Sequence, residues 1–327
     1  MACFLGLDTS AYTTSAAVID NNGNLVDEER QLLTVLPGER GLQQSQAVFQ
    51  HIQNLPMIIT RLFGRCSDLS LGDLTGVAVS QQPRPVKGSY MPVFRVGLSL
   101  AESFSTMSRV FLKRVSHQEG HLRAGLFSAG GPTADRFLAV HFSGGTSEIL
   151  RVDRLTGGFA INILGATTDL HAGQLVDRVG VRLGLPFPAG PALEALANKS
   201  QTPEESPFYL PSAVKGCNFS FSGAETKARS WIETGGSPIN VARAVEACIA
   251  KTLEKVLRQA IRDTGIKDIL FVGGVMANQY LRQRLKQRLE HPAIQAKLCF
   301  AAPHLSSDNA VGVALLAFDE WQQQQIA

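Results

Sequence analysis

Apolar residues run almost unbroken through Phe4, Leu5, Gly6 and Leu7, give way to Asp8, Thr9 and Ser10, and resume from Thr13 to Ile19. A short apolar run ending in small hydroxyl residues reads as a buried strand entering a turn, and the return run as a second strand. The same unit recurs far along the chain. Phe137, Leu138, Ala139, Val140, His141 and Phe142 enter the turn Ser143-Gly144-Gly145-Thr146-Ser147, and Glu148 through Val152 runs back out. Two strand-turn-strand units, each opening half of the chain, predict an internal duplication with a boundary near residue 135. Segment 128–133, rich in Gly, Ser and Pro, has the composition of a linker there. The expected division is 1–134 and 135–327, with the last helix packing back on the first lobe. Helical patterns over 44–63, 96–108, 241–264, 279–290 and 308–324 alternate with strands over 75–80, 110–115, 268–272 and 296–300, so both halves are predicted to be α/β.

Composition narrows the class. With 44% hydrophobic and 18% charged residues among 327, the chain has apolar material for two cores and is not a disordered polymer. A net charge of +3 permits an anionic partner without requiring one. Cys3, Cys66, Cys217, Cys248 and Cys299 are odd in number, scattered and free of CxxC pairs. Neither a disulfide framework nor a cysteine zinc site is therefore indicated, and a reducing cytoplasm fits. The apolar start is interrupted at Asp8 and has no basic segment before it, and no run elsewhere approaches the roughly 18 apolar residues of a membrane span. A cytoplasmic protein without membrane association is expected.

Chemistry enters at His117 and His121, in the run Val115-Ser116-His117-Gln118-Glu119-Gly120-His121-Leu122. If the run is helical, a spacing of four puts both imidazoles on one face, close enough to grip one divalent metal. Two histidines leave positions open for a third protein ligand, water or phosphate, which suits zinc or iron at a working site. Two solvated histidines at a helix start are the alternative. Glu119 does not directly follow His117, so the general base of an HExxH peptidase is missing. Strand ends carrying Gly and Ser/Thr offer backbone N–H groups and hydroxyls to phosphate. Thr9 and Ser10 in the first turn, and Ser143, Gly144 and Gly145 in the second, are candidates, although a tight β-turn explains either alone. A third strand delivers Gly273-Gly274 to a helix start, either as another such turn or as a βα turn in which glycine relieves crowding and Asn278 is the N-cap. Asp308, in Ser307-Asp308-Asn309, is either a helix cap or a carboxylate that needs a cation.

Taken in order, DTSxxxTS at 8–15, HQEGH at 117–121, SGGTSE at 143–148, NFSFSG at 218–223, GGVMAN at 273–278 and SDNA at 307–310 resemble the TsaD family of tRNA threonylcarbamoyltransferases, once described as O-sialoglycoprotein endopeptidases. The resemblance spans nearly the whole chain. It implies two duplicated lobes of the sugar kinase, actin and heat-shock ATPase type, with a nucleotide cleft between them. It also implies that His117, His121 and Asp308 hold one divalent metal, iron or zinc. Ser143, Gly144 and Gly145 would form the phosphate turn, Asp177 would bind the ribose, Gly190 would let the nucleoside approach and Asn278 would lie beside the adenine. The ligand would be ATP or an acyl-adenylate. The implied activity is metal-dependent transfer of threonylcarbamoyl from threonylcarbamoyl-AMP to the tRNA adenosine 3′ of the anticodon, not peptide hydrolysis. No side chain stands out as a catalytic acid or base. Small partner proteins of the same pathway, or a second copy of the chain, are implied as well, with the helix over 44–63 as a candidate docking face.

The sequence also departs from the family pattern. SGGHTE reads SGGTSE, with Thr146 in place of a histidine, and DDAAGEAFDK reads DLHAGQLVDR, with Leu170 and Gln174 replacing acids. The GPGL stretch is replaced by QPRPVKG at 82–88, and GGVVPE is absent where GERG stands at 38–41. These changes admit a diverged paralogue, either a carbamoyltransferase with another acceptor or a non-catalytic nucleotide-binding regulatory partner. Arg282, Arg284, Lys286 and Arg288, with Arg84, Lys87 and Arg95, are candidates for tracking a tRNA phosphate backbone. Interleaving with Leu281, Leu285 and Leu289 equally suits the solvated side of an amphipathic helix.

Overall fold

The computed structural model describes residues 2–10, 12–35, 42–66, 69–200 and 209–326. The GERG segment at 38–41 lies outside them.

The first half comprises β1 (Cys3–Ser10), β2 (Thr13–Asp20), β3 (Leu25–Leu32), α1 (Gln44–Arg65), β4 (Leu74–Gln82), α2 (Phe94–Ser108), β5 (Phe111–Ser116) and α3 (His117–Ala129). Its five strands lie in the order β3-β2-β1-β4-β5, antiparallel across the first three and parallel across the rest. The second half comprises β6 (Arg136–Phe142), β7 (Ser147–Leu155), β8 (Gly158–Ala166), α4 (Ala172–Arg182), α5 (Gly190–Ala197), the small hairpin β9 (Ala213–Lys215) and β10 (Asn218–Ser220), α6 (Ser222–Glu233), α7 (Pro238–Thr264), β11 (Asp268–Val272), α8 (Gln279–Leu289), β12 (Lys297–Phe300), the short α9 (Pro303–Ser306) and α10 (Val311–Ile326). Its sheet, β12-β11-β6-β7-β8, repeats the first in order and direction. The duplication inferred from the two hairpins is thus a property of whole sheets.

All eight residues of β1 and of β2 are buried because helices cover both faces. On one face Leu5, Leu7 and Val79 pack against Leu55, Ile58 and Leu62 of α1 and Leu98 of α2. On the other, Phe4, Ala17 and Ala78 meet Val311, Ala314, Leu315 and Phe318 of α10. The cover of the second sheet is reciprocal: Leu122 and Leu126 of α3 pack on Leu138's neighbours Phe137 and Ala139 and on Leu270 and Val272. Each half thus lends a helix to the other's sheet, and the two helices cross where they meet. A Cβ on Gly312 would strike the Gly120 carbonyl, and one on Gly6 would stand 2.5 Å from the Ala310 carbonyl. Glycine is required at both places because backbone meets backbone there.

Strands β3 and β8 and helices α4, α5 and α6 were not legible in the hydrophobic pattern. The edge strand LVDEERQL is only half-buried and carries charges that pair outward, with Arg65 of α1 bridging Asp27 and Glu29 at 2.7 Å each. α10 begins at Val311, three residues later than the periodicity suggests, because 307–310 forms a separate loop.

A candidate metal corner in the interlobe cleft

Ser116 ends β5 and caps α3: its Oγ accepts from the Glu119 N–H at 3.2 Å, while Glu119 Oε2 accepts from the Ser116 N–H at 2.7 Å. Glu119 is therefore one half of a capping box, which satisfies two donors that a helix start leaves open. Helix geometry from His117 onward then stacks His121 one turn behind it. Asp308 arrives from the other half. Its loop is held by Ser306 Oγ donating to the Gly273 carbonyl at 2.9 Å and by Asn309, whose Oδ1 accepts from the Val311 N–H at 3.0 Å. Asn309, not Asp308, caps α10, which leaves the Asp308 carboxylate free to face the histidines.

The three donor groups lie within 4.8 Å of one another. His117 Nε2 is 3.0 Å from His121 Nε2, and Asp308 Oδ1 is 3.5 Å from the first and 3.3 Å from the second. Metal bonds of about 2.1 Å imply ligand-to-ligand edges of roughly 3.0 Å in an octahedron and 3.4 Å in a tetrahedron, so this triangle has the size of one coordination face. Behind it, the fully buried Asp8 takes His117 Nδ1 at 3.1 Å and the hydroxyls of Ser10, at 2.5 Å, and Ser80. A carboxylate on the far nitrogen is the usual device that fixes a ligating imidazole. Charge points the same way. Burial pushes His117 down, but Asp8 and Asp308 outweigh it and raise the imidazole to about 10. Burial likewise works against the Asp308 carboxylate, yet its bonds to both histidines hold it well below the usual range. His121 and His141 are lowered by burial, each with a neighbouring imidazole adding to the effect. Two buried carboxylates thus draw positive charge to one point, and the donor set suits zinc or iron.

Across the cleft, the turn after β6 is closed by the Ser143 N–H donating to the Thr146 carbonyl at 2.7 Å. Gly144 and Gly145 look into open space, whereas a Cβ on Gly173, at the start of α4, would stand 2.6 Å from the Gly144 nitrogen. Asp177 follows one turn along α4. Its Oδ1 accepts from the Ala189 N–H at 2.8 Å, which ties it to the residue before Gly190, and burial raises its carboxyl against that bond. Gly190 also faces open space. The Ser143-Gly144-Gly145 turn, Asp177 and Gly190 are therefore one connected wall. Asn278 is placed differently: its Oδ1 caps α8 through the Leu281 N–H at 2.9 Å and its amide donates to Glu246 at 2.6 Å.

Some candidates from the sequence are engaged elsewhere. Thr9 Oγ1 donates to the Val93 carbonyl at 2.9 Å and Ser10 to Asp8, and both residues are buried, so neither hydroxyl faces a ligand. Arg282 donates to the Met276 and Ala301 carbonyls, and Arg288 pairs with Glu254. Leu170 sits in the second-lobe core, and Gln174 accepts from the His171 N–H. Two residues of the cleft escaped sequence reasoning, and a third, Arg84, has a partner that it did not foresee. Asp8 and His141 occupy buried strands whose partners are set by long-range pairing. Arg84, from segment 82–88, reaches over to Glu148 of β7 at 2.8 Å, and Glu148's other oxygen accepts from Gln118 of α3 at 2.7 Å.

The profile of the family TsaD, tRNA N6-adenosine threonylcarbamoyltransferase, matches residues 33–315. A Thermus thermophilus protein of that name is 31% identical over 98% of this chain and 93% of its own length. One from Archaeoglobus fulgidus is 29% identical over 95% and 88%. Among solved structures, the activator of 2-hydroxyisocaproyl-CoA dehydratase from Clostridium difficile, with bound ADPNP, aligns with a TM-score of 0.56 at 17% identity over 99% of this chain and 97% of that one. T. kodakarensis HypF aligns with a TM-score of 0.60 at 14% identity over 98% of this chain and 48% of that one. A ROK family glucokinase from Streptomyces griseus aligns at 0.51, with 12% identity over 96% of this chain and 98% of that one. At these identities the structures speak for the fold, two lobes of the sugar kinase, actin and heat-shock ATPase type. The sequence relatives go further: the chain belongs to the TsaD family.

Proposed function

We propose that this chain transfers threonylcarbamoyl from threonylcarbamoyl-adenylate to the N6 amine of a tRNA adenosine. The bond from the carbamoyl carbon to N6 forms, the bond from that carbon to the phosphate oxygen breaks, AMP leaves with the electron pair and N6 gives up a proton. The observation that carries this reading is the convergence of His117, His121 and Asp308 within 4.8 Å, in a chain of this family. A divalent metal held by these three would supply Lewis acidity and a fixed point for phosphate and carbonyl oxygens. Asp8 orients His117. The turn Ser143-Gly144-Gly145 receives phosphate, Asp177 the ribose, and Gly190 leaves room for the nucleoside; Asn278 borders the base from its cap position. Exposed Phe49, Ile52 and Met57 on α1 supply apolar surface for a small partner protein, apart from the buried stripe of Leu55, Ile58 and Leu62.

Reconstitution with the host's partner proteins, threonine, bicarbonate, ATP and unmodified tRNA should yield threonylcarbamoyladenosine. No product, with full activity when a typical family member replaces this chain, would defeat the reading. In the isolated protein, Asp177→Ala should weaken ATP binding by about 1–3 kcal/mol in calorimetry. Asp177→Asn, which keeps an acceptor for Ala189, separates ribose binding from loop support.

One observation bears on a second acceptor class. The segment that replaces the family's GPGL pins Arg84 to Glu148 of the other half, a departure that suits a diverged paralogue with another acceptor as well as a tRNA enzyme. Turnover of carbamoyl-adenylate with a non-tRNA acceptor would favour that reading; nucleotide binding without any turnover would point to a regulatory partner.

A further inference from the structure

His141 has no task in the reading above, although its position is a costly one. It is 2% exposed, and neither ring nitrogen has a hydrogen-bond partner among the described residues. An imidazole that deep has lost its water and needs a replacement partner. The group facing it is already committed: Glu148 pairs with His141 across the β6–β7 ladder, but its two oxygens go to Arg84 and Gln118.

His121 carries the matching deficit. Its Nε2 looks toward His117 and Asp308, while its Nδ1 is buried without a partner among the described residues. The His121 and His141 rings are packed together, with centroids 4.7 Å apart at 51°. A histidine that ligates a metal through one nitrogen hands the other N–H to an acceptor, which fixes its tautomer and its orientation. For His117 that acceptor is Asp8. For His121 no carboxylate or carbonyl among the described residues takes this place, and a neutral imidazole always keeps one lone-pair nitrogen.

Resting on the reading that His117, His121 and Asp308 hold a divalent metal, we propose that His141 is a positioning residue for His121. It accepts the His121 Nδ1–H through a bridging water and so keeps Nε2 turned toward the metal. Buried polar nitrogens that lack a protein partner are the groups that internal water satisfies in proteins. The site then has two unlike outer partners, a carboxylate behind one histidine and an imidazole behind the other.

The test compares wild type, His141→Phe, which keeps the ring volume and removes the acceptor, and His141→Gln, which keeps an acceptor. Zinc affinity is measured by competition with a chelator, and folding by circular dichroism. His141→Phe should bind zinc roughly 10- to 100-fold more weakly, and His141→Gln within a few-fold of wild type. Nitrogen-15 spectra of the zinc-loaded wild type should show His121 as the Nδ1–H tautomer with a slowly exchanging proton. That measurement stands even where His141→Phe does not fold. Equal affinity in all three proteins, equal losses in both variants, or a His121 proton exchanging as fast as a surface histidine's overturns the proposal. So does a cobalt-loaded spectrum that changes in His141→Gln, because His141 would then be a ligand itself. A wild type that binds no metal overturns the metal reading beneath, a result distinct from the variant comparison.

Discussion

In two sheets with the same strand order, the hydroxyl-bearing strand ends of the β1–β2 hairpin are closed and the glycine turn of the β6–β7 hairpin is open. Thr9, Ser10, Thr13, Thr14 and Ser15 are at most 5% exposed, and the hydroxyls of Thr9 and Ser10 are bonded within the protein. Gly144 and Gly145, by contrast, meet nothing where a Cβ would be. Duplication supplies two equivalent strand tips, and chemistry has separated them. The first became a rigid bracket whose Asp8 steadies His117. The second kept its backbone bare, the form in which a turn can meet an anion. Rigidity on one side and access on the other are complementary needs of a group-transfer site.

The sharpest way to break this contrast is to empty the bracket. The protein should carry about one divalent metal per chain, and replacing both His117 and His121 by Ala should remove it entirely. Elemental analysis that finds unchanged metal in the double variant would leave Asp8 steadying nothing. A second comparison sets glycine against glycine. Gly312→Ala forces a methyl into the Gly120 backbone where α10 crosses α3, and should destabilise the fold by about 3 kcal/mol or more in urea unfolding. It should also loosen the metal, because this crossing delivers Asp308 to the histidines. Gly144→Ala has room and should unfold within about 0.5 kcal/mol of wild type. Similar losses from the two would mean that the second turn is as tightly built as the first.

What was legible in the sequence follows the range of the interactions. The histidine pair reads as a helical pair because its spacing of four is local, and the capping box that starts the helix is local too. The glycine turn reads as a turn for the same reason. Asp8 does not announce itself, since its partner His117 is 109 residues away and the contact exists only once β1, β4 and β5 are paired. His141 looked like one more residue in an apolar strand. The exchange of α3 and α10 between the sheets also leaves no local trace, because an apolar helix face does not say which sheet it will cover.

A third comparison concerns where the halves touch. Arg84 and Gln118 of the first half converge on Glu148 of the second, which is 2% exposed, while Arg84 keeps 35% exposure. Arg84→Ala should cost about 1–2 kcal/mol, less than a fully buried pair because water reaches the guanidinium. In a double-mutant cycle with Glu148→Gln the losses should be non-additive by a similar amount. Additive losses would make Arg84 a surface cation and the halves independent at this point.

The smallest expected effect separates the lobes by proton linkage. In the first lobe, His51 is fully buried, 2.8 Å from the Thr14 hydroxyl, and burial lowers it from 6.5 to about 4 against the pull of Asp8 and Asp308. Its folded form is neutral, so its stabilising contribution is present above 6.5 and is lost as pH falls toward 4. In the second lobe, burial raises Glu246 from 4.5 to about 7 against its bond from Asn278 and the charge of Arg243. Its folded form holds the proton more tightly, so its contribution is present below 4.5 and is lost as pH rises through 7. Between pH 4.5 and 6.5 the two slopes oppose each other, and the wild type should be flatter than either variant. His51→Gln should leave a stability that falls with rising pH across this window, and Glu246→Gln one that rises, each by about 1–2 kcal/mol. Urea unfolding at half-unit pH steps measures both. Parallel curves for the two variants would mean that these groups relax on ionisation, and that the lobes do not differ in the sign of charge their interiors refuse.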